Sequence, residues 1–162
     1  VDTGENTLTA GRIKRIEHYL GDDPYFFLTY GDGVGNVDVN AALAFHKQHG
    51  KLLTVTAVHP PGRFGEMDMS DGAAVTEFNE KPQVEDGWIN GGYFVASRQL
   101  FDYLGDADNI MLEQEPMRRI VRDGELMAYK HDGFWQPMDT LRDKMYLEEL
   151  WASGNPPWKV WE

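Results

Sequence analysis

Apolar residues follow two rhythms along this chain. Ile13, Ile16 and Leu20 recur at helical spacing within residues 5–20, and Gly21-Asp22-Asp23-Pro24 ends that segment. Tyr25-Phe26-Phe27-Leu28-Thr29-Tyr30 is apolar at nearly every position, the pattern of a strand covered on both faces, and it stops at Gly31-Asp32-Gly33. Val39, Ala42, Leu43 and His46 mark one face of a helix that closes at Gly50, and residues 52–58 predict a second buried strand. Strand, helix and strand with short connections form a βαβ unit, which implies a parallel pair joined by a right-handed crossover.

Beyond Pro60-Pro61-Gly62, residues 64–80 predict two short strands around Ser70-Asp71-Gly72. Residues 89–96 predict another strand, with Gly91-Gly92 near its start, and residues 98–104 a short helix. Glu115-Pro116 opens a further helix, because proline is tolerated at the first helical position, and Asp123-Gly124 closes it. A strand at 126–131, a helix at 141–152 and an irregular tail complete the series. No repeat or linker divides the chain, so residues 1–162 read as one domain, with 141–162 a helix and a Trp-rich tail. The fold class is α/β, with a mostly parallel sheet and helices on its faces. Ligands of such sheets gather outside the carboxyl ends of the strands.

Charge narrows the function. Fifteen basic against 27 acidic residues leave a net charge of −12. That surface argues against nucleic acid and against an anionic membrane, since binding either rests on basic side chains. A small anionic substrate remains compatible if a metal and a few local cations offset the field. The absence of cysteine excludes disulfides and thiolate-bound zinc and fits a cytoplasmic setting. No run approaches the ~20 apolar residues of a membrane span. The chain opens Val1-Asp2-Thr3-Gly4 without an initiator Met, so it is expected to be part of a longer protein.

Residues just after the strands are the candidates for chemistry. Asp32 follows the first buried strand and has glycine on both sides, which lets a ligand approach the backbone. Its carboxylate suits Mg²⁺, a hard cation that takes one or two carboxylates plus substrate phosphates; the plain structural alternative is an Asp-Gly turn. Asp139 lies at the end of Gly133-Phe134-Trp135-Gln136-Pro137-Met138. It competes with a simpler role at a helix start, where Thr140 and Asp143 have capping-box spacing. Glu80-Lys81-Pro82 offers an ammonium suited to a phosphate, or an ordinary charged turn. In Ile89-Asn90-Gly91-Gly92, Asn90 can both donate to and accept from sugar hydroxyls, while the glycines fit either close ligand approach or a loop with positive φ. Arg12, in the segment that includes Thr7, offers planar recognition of a phosphate or a base edge; Lys14 and Arg15 read as a solvated face. His46 and His49 share a helix but have no acidic partner at metal-ligand spacing, so one is expected to pack and the other to be exposed.

Taken in order, Thr29-Tyr30-Gly31-Asp32-Gly33, Glu80-Lys81-Pro82, Ile89-Asn90-Gly91-Gly92-Tyr93-Phe94 and Phe134-Trp135-Gln136-Pro137-Met138-Asp139-Thr140 resemble the successive motifs of the sugar-1-phosphate nucleotidyltransferases. The match extends over essentially the whole chain. Thr3-Gly4-Glu5-Asn6-Thr7, His59-Pro60-Pro61-Gly62-Arg63-Phe64-Gly65 and the Pro-Pro-Trp-Lys-Val-Trp ending resemble those members that act on CTP and glucose 1-phosphate.

The resemblance implies a Rossmann-like fold and a Mg²⁺-dependent reaction giving CDP-glucose and pyrophosphate. It implies Asp32 and Asp139 as metal ligands, with Lys81, Glu80, Asn90 and Gly91 at the sugar phosphate. Thr7, Arg12 and Gly31 would contact the nucleotide. It also implies a homo-oligomer. The family's Gly-Gly-x-Gly-Thr-Arg loop and its first strand have no counterpart here, so these 162 residues by themselves are expected to fold poorly or to be inactive. The alternatives are a non-catalytic, oligomer-forming module that binds sugar nucleotides, or the same chemistry with UTP or dTTP.

Overall fold

A computed structural model describes residues 1–61, 66–69, 75–79, 87–105 and 108–161, with the backbone alone at 66–69 and 75–79. The chain divides into two compact units. The first comprises Val1–Thr29, Val39–Thr56 and Gly92–Tyr129; the second comprises Tyr30–Asp38, Ala57–Gly91 and Lys130–Glu162.

Most of the expected elements form. In chain order they are α1 (Thr9–Arg15), β1 (Tyr25–Thr29), β2 (Gly33–Gly35), α2 (Val39–His49), β3 (Leu53–Val58), β4 (Glu66–Met69), β5 (Val75–Asn79), β6 (Ile89–Ser97), α3 (Phe101–Leu104), α4 (Glu115–Arg122), β7 (Leu126–His131), β8 (Trp135–Pro137) and α5 (Leu141–Ala152). The helix expected over 5–20 is shorter: after α1 the chain tightens into a 3₁₀ turn at Glu17–Leu20. Pro116 sits at the start of α4, as its missing N–H allows. β2 and β8 are new, three residues each.

The first unit is built on a four-stranded sheet in the order β1-β6-β3-β7. β1 pairs antiparallel with β6, Tyr25 opposite Ser97 and Thr29 opposite Tyr93. The end of β6 lies beside the start of β3, through Ser97 N–H to the Leu52 carbonyl, so β6 runs against β3. The start of β3 lies beside the start of β7, through Leu53 N–H to the Glu125 carbonyl, so those two run together. Three strands therefore share one direction and β6 opposes them. β1 and β3 do run the same way, as βαβ order implies, but they are not neighbours. β6 is inserted between them, a long-range pairing that local pattern does not encode.

Helices cover both faces of β1. Tyr25 meets His46 of α2 edge-on at 5.3 Å, while Phe26 stacks on Phe101 of α3 at 5.3 Å. Successive strand residues point to opposite faces, so α2 and α3 lie on opposite sides. The expectation that β1 is covered throughout needs correction. Phe27, two residues along on the Tyr25 face, is 53% exposed. Elsewhere the core is dense, with Phe94, Leu53, Leu100, Leu104, Leu112 and Ile120 almost wholly buried.

A ring of polar contacts lies within this core. Lys51 N–H donates to His49 Nδ1 at 2.9 Å, so that nitrogen accepts and the imidazole is neutral. His49 Nε2–H then donates to Thr54 Oγ1 at 2.7 Å, and the Thr54 hydroxyl donates to His46 Nδ1 at 2.8 Å. His46 Nε2–H donates to Ser97 Oγ at 3.0 Å, and the Ser97 hydroxyl donates to the Lys51 carbonyl at 3.4 Å. The circuit begins and ends on one residue and ties α2 to β3 and β6. Only neutral imidazoles complete it. Burial, with the neighbouring His49 second, lowers the His46 pKa to about 4; burial also lowers that of His49.

The second unit holds two small ladders. β4 pairs antiparallel with β5. β2 pairs antiparallel with β8, matching Gly33 to Pro137, Val34 to Gln136 and Gly35 to Trp135. The capping box read from the sequence is present on α5: Thr140 Oγ1 accepts from Asp143 N–H, and the Asp143 carboxylate accepts from Thr140 N–H at 3.0 Å.

Candidate active site

The β2–β8 ladder builds the site. Gly31 and Asp32 form the turn between β1 and β2. The ladder extends one step past its last pair, where Met138 N–H donates to the Asp32 carbonyl at 2.7 Å. Asp139 is the next residue. The two aspartates therefore sit at the same end of one ladder, although 107 positions separate them in the chain (139 less 32). Both are exposed. The capping of α5 falls to Thr140 and Asp143, so Asp139 is not one of the capping pair.

Asn90 and Gly91 belong to the same unit. Asn90 is exposed at the start of β6, and Gly91 beside it is buried. Trp135 of β8 donates its indole N–H to the Gly91 carbonyl at 2.9 Å. Thus Asp32, Asp139 and the Asn90-Gly91 segment are linked through two contacts, Met138 N–H to the Asp32 carbonyl and the Trp135 indole N–H to the Gly91 carbonyl. Gly92 adopts φ 78°, a conformation that favours glycine, so the loop explanation for the glycine pair also holds. Glu80 and Lys81 lie outside the described residues.

Thr7 and Arg12 belong to the other unit. Thr7 is buried. Arg12 donates from Nη1 to Thr3 Oγ1 at 2.7 Å and from Nη2 to the Glu5 carbonyl at 3.1 Å. Its guanidinium is thereby held against the turn that precedes α1. Arg15, expected on a solvated face, is exposed, and there it binds the Thr3 carbonyl and the Asp108 carboxylate, each at 2.7 Å.

The donor set fits a hard cation. Among the described residues no group of three or more His, Asp or Glu side chains is placed to hold a metal by itself. Two carboxylates at one end of a ladder would suit Mg²⁺, which takes few protein ligands and completes its octahedron with phosphate oxygens and water. Beside this end of the ladder lies an apolar groove of about 310 Å³, walled by Val34, Met138, Leu147, Trp151 and Trp158. Lys144 and Glu148, which also line it, are paired at 3.3 Å.

Sequence reasoning missed Trp135. The available signal was Gly33-Val34-Gly35, glycine at alternate positions, which leaves room on one strand face for a bulky neighbour.

Comparison with known proteins identifies the family. The family model for nucleotidyl transferases matches residues 2–145. The chain is 52% identical over 162 residues to the glucose-1-phosphate cytidylyltransferase of Salmonella typhimurium (strain LT2), covering all of this chain and 62% of that protein. It is 43% identical over 161 residues to a probable glucose-1-phosphate cytidylyltransferase of Bacillus subtilis (strain 168), covering 99% of this chain and again 62% of the relative. The chain thus spans less than two thirds of the length of these curated relatives. Among solved structures, HddC from Yersinia pseudotuberculosis superposes with a TM-score of 0.67 at 19% identity, over 91% of this chain and 64% of that one, and so shares the fold. Among the described residues no helix is long and apolar enough to cross a membrane.

Proposed function

The chain belongs to the nucleotidyl transferase family, and we propose that it acts on CTP and glucose 1-phosphate, forming CDP-glucose and releasing pyrophosphate. The observation that supports this reading is that Asp32 and Asp139 lie at one end of the β2–β8 ladder, Asp32 bonded to Met138 beside Asp139, in the same unit as the Asn90-Gly91 segment. The relatives named above supply the choice of base and sugar.

A phosphate oxygen of glucose 1-phosphate attacks the α-phosphorus of CTP. As that bond forms, the bond from the same phosphorus to the pyrophosphate oxygen breaks, and the electron pair leaves on pyrophosphate. No protein nucleophile is needed, because the attacking oxygen is already anionic. Positioning and charge neutralisation carry the catalysis. Asp32 and Asp139 hold Mg²⁺, which when bound neutralises charge on the reacting phosphates. Met138 N–H, bonded to the Asp32 carbonyl, keeps the backbone of both carboxylates in one arrangement. We assign Asn90 and Glu80 to sugar hydroxyls, Gly91 to close approach of the sugar phosphate, and Lys81 to its phosphate. Thr7, Arg12 and Gly31 are assigned to the nucleotide.

Residues 1–162 are assigned to one nucleotidyltransferase domain of a cytoplasmic enzyme. We further propose that the enzyme is a homo-oligomer. The exposed apolar residues Leu141, Met145 and Tyr146 of α5, with Val160 and Trp161 of the tail, form the proposed contact surface.

The test is pyrophosphate release from CTP and glucose 1-phosphate with Mg²⁺, measured on a full-length protein that contains this sequence, with UTP and dTTP alongside. Preferred use of CTP supports the proposal. Preferred use of UTP or dTTP keeps the chemistry and overturns the base assignment. Binding of sugar nucleotide without pyrophosphate release overturns the catalytic reading in favour of a binding module.

A further inference from the structure

Trp135 lies within the motif that ends at Asp139 but has no role in the mechanism above, and it contacts both the Gly33-Val34-Gly35 strand and the Asn90-Gly91 segment. Its indole N–H donates to the Gly91 carbonyl at 2.9 Å. Its ring lies across β2 where that strand has no side chains. A Cβ built on Gly33 would stand 3.3 Å from Trp135 Nε1 and 3.4 Å from the Gly91 carbonyl oxygen. A Cβ built on Gly35 would stand 3.1 Å from the Phe134 carbonyl oxygen and 3.4 Å, an ordinary contact, from Trp135 Cδ1. Residues two apart on a strand face the same side, so the two glycines open one face and the indole fills it. Neither glycine adopts positive φ, so backbone freedom does not account for them. At Gly33 space for the indole does, and at Gly35 the Phe134 carbonyl is the tighter neighbour.

The consequence is a staple. Gly33 follows Asp32, Gly91 follows Asn90, and Trp135 lies four residues before Asp139 on β8. We infer that Trp135 is a positioning residue, whose indole N–H fixes the Asn90-Gly91 segment relative to the two aspartates and so sets where the sugar phosphate sits. This rests on the proposed function for the identity of the ligand, but the geometry stands independently of it.

The experiment uses a full-length protein containing this sequence. Trp135→Phe keeps an aromatic ring and removes the N–H. The expected result is a rise of roughly tenfold or more in KM for glucose 1-phosphate, with KM for CTP within about twofold of wild type, in proportion to one lost hydrogen bond at a positioned contact. A purely structural role would lower the active fraction and the melting temperature while leaving both KM values alone. Gly33→Ala pushes on the same bond from the other side. It should produce the same split, and the double variant should be no worse than the more affected single one. If Trp135→Phe folds poorly, Gly33→Ala carries the test.

Glucose 1-phosphate binding by calorimetry separates the two readings. A wild type that binds the sugar phosphate without turning over CTP overturns the proposed function, and weakened binding in Trp135→Phe still upholds the staple. Unchanged KM values and affinity in both variants overturn the staple, as does an equal rise in KM for both substrates. A wild type that binds no sugar phosphate overturns both.

Discussion

Acidification should loosen the first unit through His46. This ring is fully buried (0% exposed) and closes the circuit from Lys51 N–H back to the Lys51 carbonyl. The groups that face the circuit are Tyr25 of β1, Lys47 and His49 of α2, and Lys51, which pairs with Glu125 at 3.3 Å ahead of β7. A proton on His46 Nδ1 would displace the Thr54 hydroxyl proton, and the one carboxylate in the set is held by Lys51. Burial first, and the neighbouring His49 second, depress the folded pKa to about 4 from 6.5. Between those values the unfolded chain binds more protons than the folded one, so stability rises with pH across that window. It is fully present above pH 6.5, is lost as pH falls towards 4, and falls no further on this account below that.

The full difference is on the order of 3 kcal/mol, and about 2 kcal/mol is lost by pH 5. Urea unfolding at pH 7.5, 6.5, 5.5 and 5.0 measures the loss, and NMR of the imidazole nitrogens reports the tautomer and pKa of His46 directly. His46→Gln removes the titration. It should be less stable at pH 7.5, because a buried hydrogen bond is lost, but its stability should depend less on pH over this range. A flat stability profile in the wild type, a folded-state pKa near 6.5, or an unchanged slope in His46→Gln would refute the reasoning.

Replacing Asp32 or Asp139 by Ala in an active full-length protein should lower kcat by at least about a hundredfold, in line with loss of a charge-stabilising group at a transferring phosphate, while the melting temperature shifts by only a few degrees because both side chains are exposed. Comparable losses of activity and folding would count against the metal-binding role. For the oligomer, light scattering should give a mass above that of one chain. Leu141→Asp, at a position 72% exposed, should shift the population towards the monomer; a monomeric wild type would remove the assignment.

Much of the local structure was legible without coordinates. α5 runs over residues 141–152 as read, because Thr140 and Asp143 satisfy its first turn and the chain behind it turns away at Gly154. β1, β3, β6 and β7 were legible from short apolar runs bounded by Gly, Pro and Asp. Asp32 and Asp139 were legible as candidates, because each follows an apolar run at a break in the chain. These signals are local: spacing, caps and turn residues act within a few positions of one another.

What tertiary structure decided is the partnering. β2 and β8 are three residues each, too short to show alternation, and they exist only because each supplies the other's hydrogen bonds. That pairing brings Asp32 beside Met138 and Asp139, and lets Trp135 reach Gly91. The insertion of β6 between β1 and β3 is of the same kind, since a strand's pattern says that a face is buried but not against which neighbour. His46 and His49 read from sequence as one packed and one exposed ring; only the fold showed that Thr54, Ser97 and Lys51 close a circuit through both. The residue types were set in the sequence, while the hydrogen bonds that give them roles span dozens of positions and form only when the chain closes on itself.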